Sequence, residues 1–151
     1  MRIVDYMRDS LIFLDVEAID KRDAIQQTIE MMRDNDAITS GDKFFQAVME
    51  REALGSTAIG KGLALPHART QHIEAITIAL TRLKSGIDFD AVDNEPVDLI
   101  FLLGTPLKAV GEYLTVLAKL SKILKDDSTR KKILNAKTAI EIKNIFIEAE
   151  T

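Results

Sequence analysis

The chain has 151 residues, 46% of them hydrophobic, the size of one compact domain able to bury most of its apolar surface. Its 20 basic and 24 acidic residues leave a formal net charge of -4, so there is no positive excess to neutralise a nucleic-acid backbone. Cysteine is absent, which excludes disulfides, thiolate metal sites and a cysteine nucleophile and leaves His, Ser, Asp, Glu and Lys for covalent chemistry.

Leu11 to Val16 (LIFLDV) is a short apolar run of strand length ended by charges, although length alone does not separate it from a helical segment. Residues 20 to 34 switch to helical spacing, with Ile25, Thr28 or Ile29, and Met32 on one face and Lys21, Arg22, Gln26 and Arg33 elsewhere. Thr39-Ser40-Gly41-Asp42 reads as a helix start. Phe44, Phe45, Val48 and Met49 supply the buried stripe of that helix, which ends near Ala53. Three glycines between Gly55 and Gly62 then mark a loop that needs unusual backbone angles or close approach to a ligand.

Gly62 to Pro66 is extended, because Pro66 removes a donor and pushes Leu65 away from helical angles. Ala75 to Leu83 and Val97 to Leu103 are apolar, partly β-branched runs of strand length, with Ser85-Gly86 and Asp93-Asn94-Glu95-Pro96 as turn material. A long helix follows over about 109 to 125, with Leu114, Leu117, Leu120 and Leu124 at helical spacing. Asp126-Asp127-Ser128 interrupts it, a short helix covers 128 to 135, and Thr138-Ala139-Ile140-Glu141 fits a capping box opening a last helix with Ile142, Ile145 and Phe146. The mixture predicts an α/β fold: a single domain over residues 1–151 in which helices flank a mixed β-sheet as a sandwich. No stretch approaches the roughly 18 consecutive apolar residues of a membrane span. The opening MRIVDYMRDS lacks the apolar segment of a signal peptide, so a cytoplasmic protein without membrane insertion is expected.

Chemistry concentrates in residues 51 to 69, REALGSTAIGKGLALPHAR. Gly55 to Lys61 satisfies the G-x-x-x-x-G-K part of a nucleotide-binding P-loop, but Gly62 stands where that motif needs Ser or Thr for magnesium. The segment also follows a helix and leads into a strand, the reverse of the required context. A nucleotide-dependent kinase is therefore not expected. A structural reading takes the glycines as a tight loop and His67 as a histidine without a role. A functional reading notes that a Pro-fixed strand end presents an imidazole beside glycine-rich backbone, with Arg51 and Arg69 close in sequence, and that amides and guanidinium groups neutralise phosphate oxygens. Residue types alone do not separate these two.

The run Arg51-Glu52-x-Leu54-Gly55-Ser56-Thr57-x-Ile59-Gly60-x-Gly62-x-Ala64-Leu65-Pro66-His67 closely resembles the active-site signature of the fructose/mannitol-type enzyme IIA domains of the bacterial phosphotransferase system, including their nitrogen-regulatory branch. Gly86 to Asp90 and Pro96 to Leu103 also look like that family. The resemblance implies a mannitol-IIA-like sandwich, His67 as phosphoryl acceptor and Arg51 over the transferring group. Ser56 and Thr57 would line the phosphate pocket or cap local backbone. An unperturbed His has a pKa near 6.5, so much of it is a neutral nucleophile without a strong base. Phosphoryl transfer asks the protein mainly for alignment and positive charge, which a guanidinium fork supplies. The donor implied is the phosphocarrier HPr or its nitrogen-branch counterpart, and no cofactor or metal is implied.

One position departs from the pattern. Sugar-transporting members commonly carry a second histidine in a Glu-His-aliphatic context, which here reads Glu112-Tyr113-Leu114. Tyr113 can donate a hydrogen bond in the pocket, but a phenol with a pKa near 10 supplies no positive charge. Arg69 and Lys108 could compensate or be solvated surface charges, and His72 reads as a surface residue. Three roles follow: a regulatory IIA protein whose phosphorylation state selects target proteins, favoured by the lack of fused IIB or IIC segments; a fructose-class transport component that passes phosphate to a IIB domain; or a binding module with the fold and no phosphotransfer.

Overall fold

The computed structural model describes residues 2–151. Two short 3-10 turns, Ile3–Tyr6 and Asp9–Leu11, lead into β1 (Ile12–Val16), so the first apolar run is a strand that begins one residue after Leu11. Helix α1 (Lys21–Asp34) starts at Asp20, whose carboxylate accepts from the Asp23 amide, and α2 (Gly41–Ala53) starts at Ser40, whose hydroxyl accepts from the Lys43 amide. Then come β2 (Ala58–Gly60), β3 (Leu63–Ala64), β4 (His67–Arg69), β5 (Thr77–Ile87), β6 (Val97–Thr105), α3 (Val110–Leu124), α4 (Asp127–Asn135) and α5 (Ala139–Ala149).

The six strands form one mixed sheet in the order β1-β5-β6-β3-β2, with β4 also paired to β6. β3 and β4 both run parallel to β6, and Leu63↔Leu99 and His67↔Leu103 share one sequence offset. Residues 63 to 69 thus keep one register along β6, interrupted only where Pro66 has no amide to donate; β2 flanks the β3 part and the β4 part is left at the sheet edge. Strand periodicity puts Leu63 and Leu65 on the face covered by α3 and α5, and Ala64 and Ala68 on the face covered by α1 and α2. His67 follows the odd positions and points toward α3.

β6 is buried on both faces. Leu99, Phe101 and Leu103 pack with Leu120, Leu124 and Phe146, while Ile100 and Leu102 pack with Ile25, Phe44 and Val48. Thr28 and Thr81, both fully buried, satisfy each other across α1 and β5 at 2.6 Å. Arg82 is buried on the opposite face, where its guanidinium donates to the carbonyls of Ile133 and Ala136 and ties β5 to the end of α4.

Three local expectations change. Ser85-Gly86 is not a turn but part of β5. The ladder slips between Arg82 and Ile87, and a Cβ on Gly86 would sit 2.8 Å from Pro96, so the glycine lets the irregular strand pass this proline. Leu114 is 58% exposed and Val116 takes its place in the buried face of α3, beside Leu120 and Leu124. In the last capping box Thr138 caps the Glu141 amide as expected, but the Glu141 carboxylate accepts from Lys137, one residue earlier than the motif predicts.

Gly104 in β6 pairs with Ala68 and Thr77, and a Cβ there would overlap the buried Ile73 side chain and lie 3.1 Å from the Phe44 ring. Gly104→Ala is expected to destabilise the fold by about 1–3 kcal/mol through overpacking, measured as a lower midpoint in urea with an unchanged slope.

Candidate functional site

His67 opens β4 at the sheet edge, half-buried. Its Nδ1 lies 2.7 Å from the carbonyl oxygen of Leu65. A carbonyl only accepts, so Nδ1 carries the hydrogen and, in the neutral ring, Nε2 holds the free lone pair. The chain shape that allows this hook comes from Pro66, itself buried, whose carbonyl accepts from the Leu103 amide at 2.9 Å.

The imidazole opens onto a cleft of about 390 Å³ lined by Arg51, Leu54, Arg69, Leu107 and Tyr113. Arg51 reaches it from the last turn of α2 and donates through Nη1 to the Gly55 carbonyl at 2.9 Å. A guanidinium has five N–H donors, so this bond fixes the group while leaving a fork for phosphate oxygens. Tyr113, in the first turns of α3, sets its ring edge-on to His67 with centroids 5.6 Å apart and planes at 63°. Arg69 is exposed at the end of β4, and Leu54 and Leu107, 85% and 53% exposed, form an apolar rim.

Burial, and then the Arg51 charge, hold the His67 pKa below 6.5 against the opposing Leu65 bond and Glu52. The ring is therefore neutral at neutral pH. Burial raises the Tyr113 phenol against the pull of Arg51 and Arg69, so Tyr113 stays protonated. The cleft thus joins an uncharged nitrogen nucleophile to two permanent cations and a phenol.

The remaining predicted residues lie elsewhere. Neither Ser56 nor Thr57 lines the cleft: Ser56 Oγ donates to the Phe89 carbonyl at 2.6 Å and accepts from the Ala58 amide, and Thr57 is buried with its hydroxyl on the Glu52 carboxylate. Of their two anticipated uses, loop bracing is the one the geometry contains. Gly62, at φ +80, faces Asp98, and Lys61 pairs with Asp127 at 3.6 Å. Of the three glycines only Gly55 lies between α2 and β2; Gly60 ends β2 and Gly62 sits in its turn to β3, so the stretch expected as one loop contains a strand and has no P-loop geometry. His72 borders a separate groove with Tyr6 and Arg8, its Nδ1 3.3 Å from Thr39 Oγ1. Among the described residues no group of three His, Asp or Glu side chains is placed to hold a metal ion, and no helix is long and apolar enough to cross a membrane.

Sequence reasoning missed Glu52, which is buried beside Lys21 and Thr57. The signal was present: Phe44, Val48 and Glu52 follow at four-residue intervals and so share the apolar face of α2.

Residues 5–149 match the family model described as phosphoenolpyruvate-dependent sugar phosphotransferase system, EIIA 2. The chain belongs to that family. It is 31% identical over 138 residues to the PTS system fructose-specific EIIA component of Haloferax volcanii, covering 91% of this chain and 90% of that protein. It superposes on the crystal structure of the nitrogen regulatory protein IIA-Ntr from Neisseria meningitidis with a TM-score of 0.89 and 33% identity, over 95% of this chain and 98% of that one. It also shares the fold of enzyme IIA-Mtl in its complex with phosphorylated enzyme IIB-Mtl from Escherichia coli, with a TM-score of 0.78 and 19% identity over 94% of this chain and 99% of that one. The family read from residues 51 to 67 is the family of nearly the whole EIIA 2 chain.

Because folded His67 binds its proton less tightly than the unfolded chain, it lowers stability as pH falls through the window from about 6.5 down to the folded value, and has no effect above it. NMR titration of the His67 ring is expected to give a midpoint below 6.5 that rises in Arg51→Ala, and His67→Gln should flatten the acid slope of stability in the same window.

Proposed function

We propose that this EIIA 2 protein is a phosphoryl carrier that accepts phosphate on His67 Nε2 from a phosphohistidine of an HPr-type protein, and that it serves as a nitrogen-regulatory-type IIA. The observation that carries this reading is the neutral imidazole, pinned through Nδ1 to Leu65 and opening with Arg51 and Arg69 onto one cleft.

The reaction balances without an added base. The Nε2 lone pair forms the new N–P bond as the donor's N–P bond breaks, and that pair returns to the donor imidazole. Each ring keeps the hydrogen on its other nitrogen, so the donor ring goes from cationic to neutral as the His67 ring goes from neutral to cationic, and no proton must cross. Arg51 meets the charge on the equatorial oxygens, Tyr113 offers a phenolic hydrogen bond, and the apolar rim of Leu54 and Leu107 excludes water from the contact. Ser56 and Thr57 contribute from behind by holding the loop that carries the Gly55 carbonyl. A match over residues 5–149 supports reading 1–151 as one IIA domain, and the absence of a membrane-crossing helix among the described residues agrees with a cytoplasmic setting.

Likeness to IIA-Ntr over 95% of the chain favours the regulatory role, in which the phosphoryl group adds about 1.5–2 negative charges beside the exposed rim and changes which proteins it binds. The fructose-specific relative favours a second reading, in which phosphate passes to a IIB domain; the IIA-Mtl and IIB-Mtl complex supports that pairing for the fold.

Incubation with labelled phospho-HPr should give acid-labile label on the wild type and none on His67→Ala. Arg51→Ala should slow labelling by about 10²–10³-fold, the usual scale for one lost oxyanion donor. An unlabelled wild type would overturn the carrier reading. Label discharged rapidly by a fructose-type IIB would support transport; label retained in its presence would support regulation.

A further inference from the structure

The buried charges that the proposed transfer leaves unused form a chain ending at both reactive groups. The Glu52 side chain is 2% exposed and the Lys21 side chain 16%, and they pair at 2.8 Å. The Glu52 carboxylate also accepts from the Thr57 amide at 3.2 Å and from the Thr57 hydroxyl. The Thr57 carbonyl accepts from the Leu65 amide at 3.0 Å, and the Leu65 carbonyl accepts from His67 Nδ1. On the other side of the same loop, Arg51 grips the Gly55 carbonyl. Adjacent residues of α2 therefore clamp one loop twice, Arg51 onto Gly55 and Glu52 onto Thr57. Lys21 anchors the clamp to α1, where its ammonium also lies 5.0 Å from the Phe89 ring centre and 3.7 Å from Asp90.

We infer that Glu52 and Lys21, acting through Thr57, are positioning residues that set the separation of Arg51 and His67 for phosphoryl transfer; the functional part rests on the carrier reading. Neither touches the transferring group. Breaking a buried ion pair leaves an uncompensated charge, so selection for stability alone would be served equally by an apolar pair of similar volume. A charged pair that bonds the loop at two points on Thr57 instead fixes its orientation, and a misplacement of about 1 Å at such a site can cost about 10²-fold in rate.

Two variants test this. Glu52→Gln keeps the shape and removes the ion pair, while Thr57→Val removes only the hydroxyl and keeps the fold accessible if the first variant does not fold. In arginine-labelled protein, exchange of the Arg51 guanidinium hydrogens is expected to quicken about 10-fold in either variant. Single-turnover phosphoryl acceptance should slow by about 10-fold at an unchanged half-saturating donor concentration, and neither variant should slow Arg51→Ala further. Unchanged guanidinium exchange, or equal slowing with and without Arg51, would overturn the inference. If the wild type takes no phosphate, the carrier reading falls and the exchange measurement still decides whether Glu52 orders Arg51.

Discussion

A hydrogen bond spanning two residues, from His67 Nδ1 to the Leu65 carbonyl, determines what the site can do. A net bond worth about 1 kcal/mol biases the neutral tautomers about fivefold, and it selects the one whose Nε2 lone pair is free. It needs Leu65 extended and its carbonyl turned toward the following imidazole. Pro66 enforces the first, and the amide of Leu65 held by Thr57 enforces the second. Burial then removes the competing imidazolium, since desolvation outweighs the opposing influence of Leu65 and Glu52.

The sheet makes that bond reproducible. Because β3 and β4 keep one register against β6 across Pro66, the position of His67 is inherited from Leu103 and the buried ladder behind it. The cation arrives independently, on the last turn of α2, and the glycine loop joins the two. Arg51 and Glu52, consecutive in sequence, project to different surroundings: one lines the cleft, while the other enters the core beside Lys21. An apolar stripe with a carboxylate at its end is how one helix terminus both braces the loop and presents a guanidinium.

Much of this was legible in the sequence. Helical spacing and cap residues located α1 through α5, and the motif from Arg51 to His67 singled out the imidazole and the guanidinium that the fold brings to one cleft. What stayed hidden depends on neighbours distant in the chain. Ser56 and Thr57 carry hydroxyls suited to phosphate, and only the approach of Phe89 and the inward turn of Glu52 directs them away from the cleft. Ser85-Gly86 has turn composition, yet Pro96 packs against the glycine and the strand continues through an irregular register. Leu114 shares helical spacing with buried leucines but lies on the side of α3 that the sheet does not reach. Tyr113 was visible as a departure; its edge-on contact with His67 requires α3 to pack across the end of β4.

The transfer proposed for this site stands on a neutral His67 imidazole that offers Nε2. Long-range proton–nitrogen correlation of the histidine rings at neutral pH, before and after phosphorylation, tests it most directly. The Nδ1–H tautomer is expected in the free protein and a nitrogen–phosphorus coupling at Nε2 in the phosphorylated one. An Nε2–H tautomer, an imidazolium, or phosphorus on Nδ1 would contradict it.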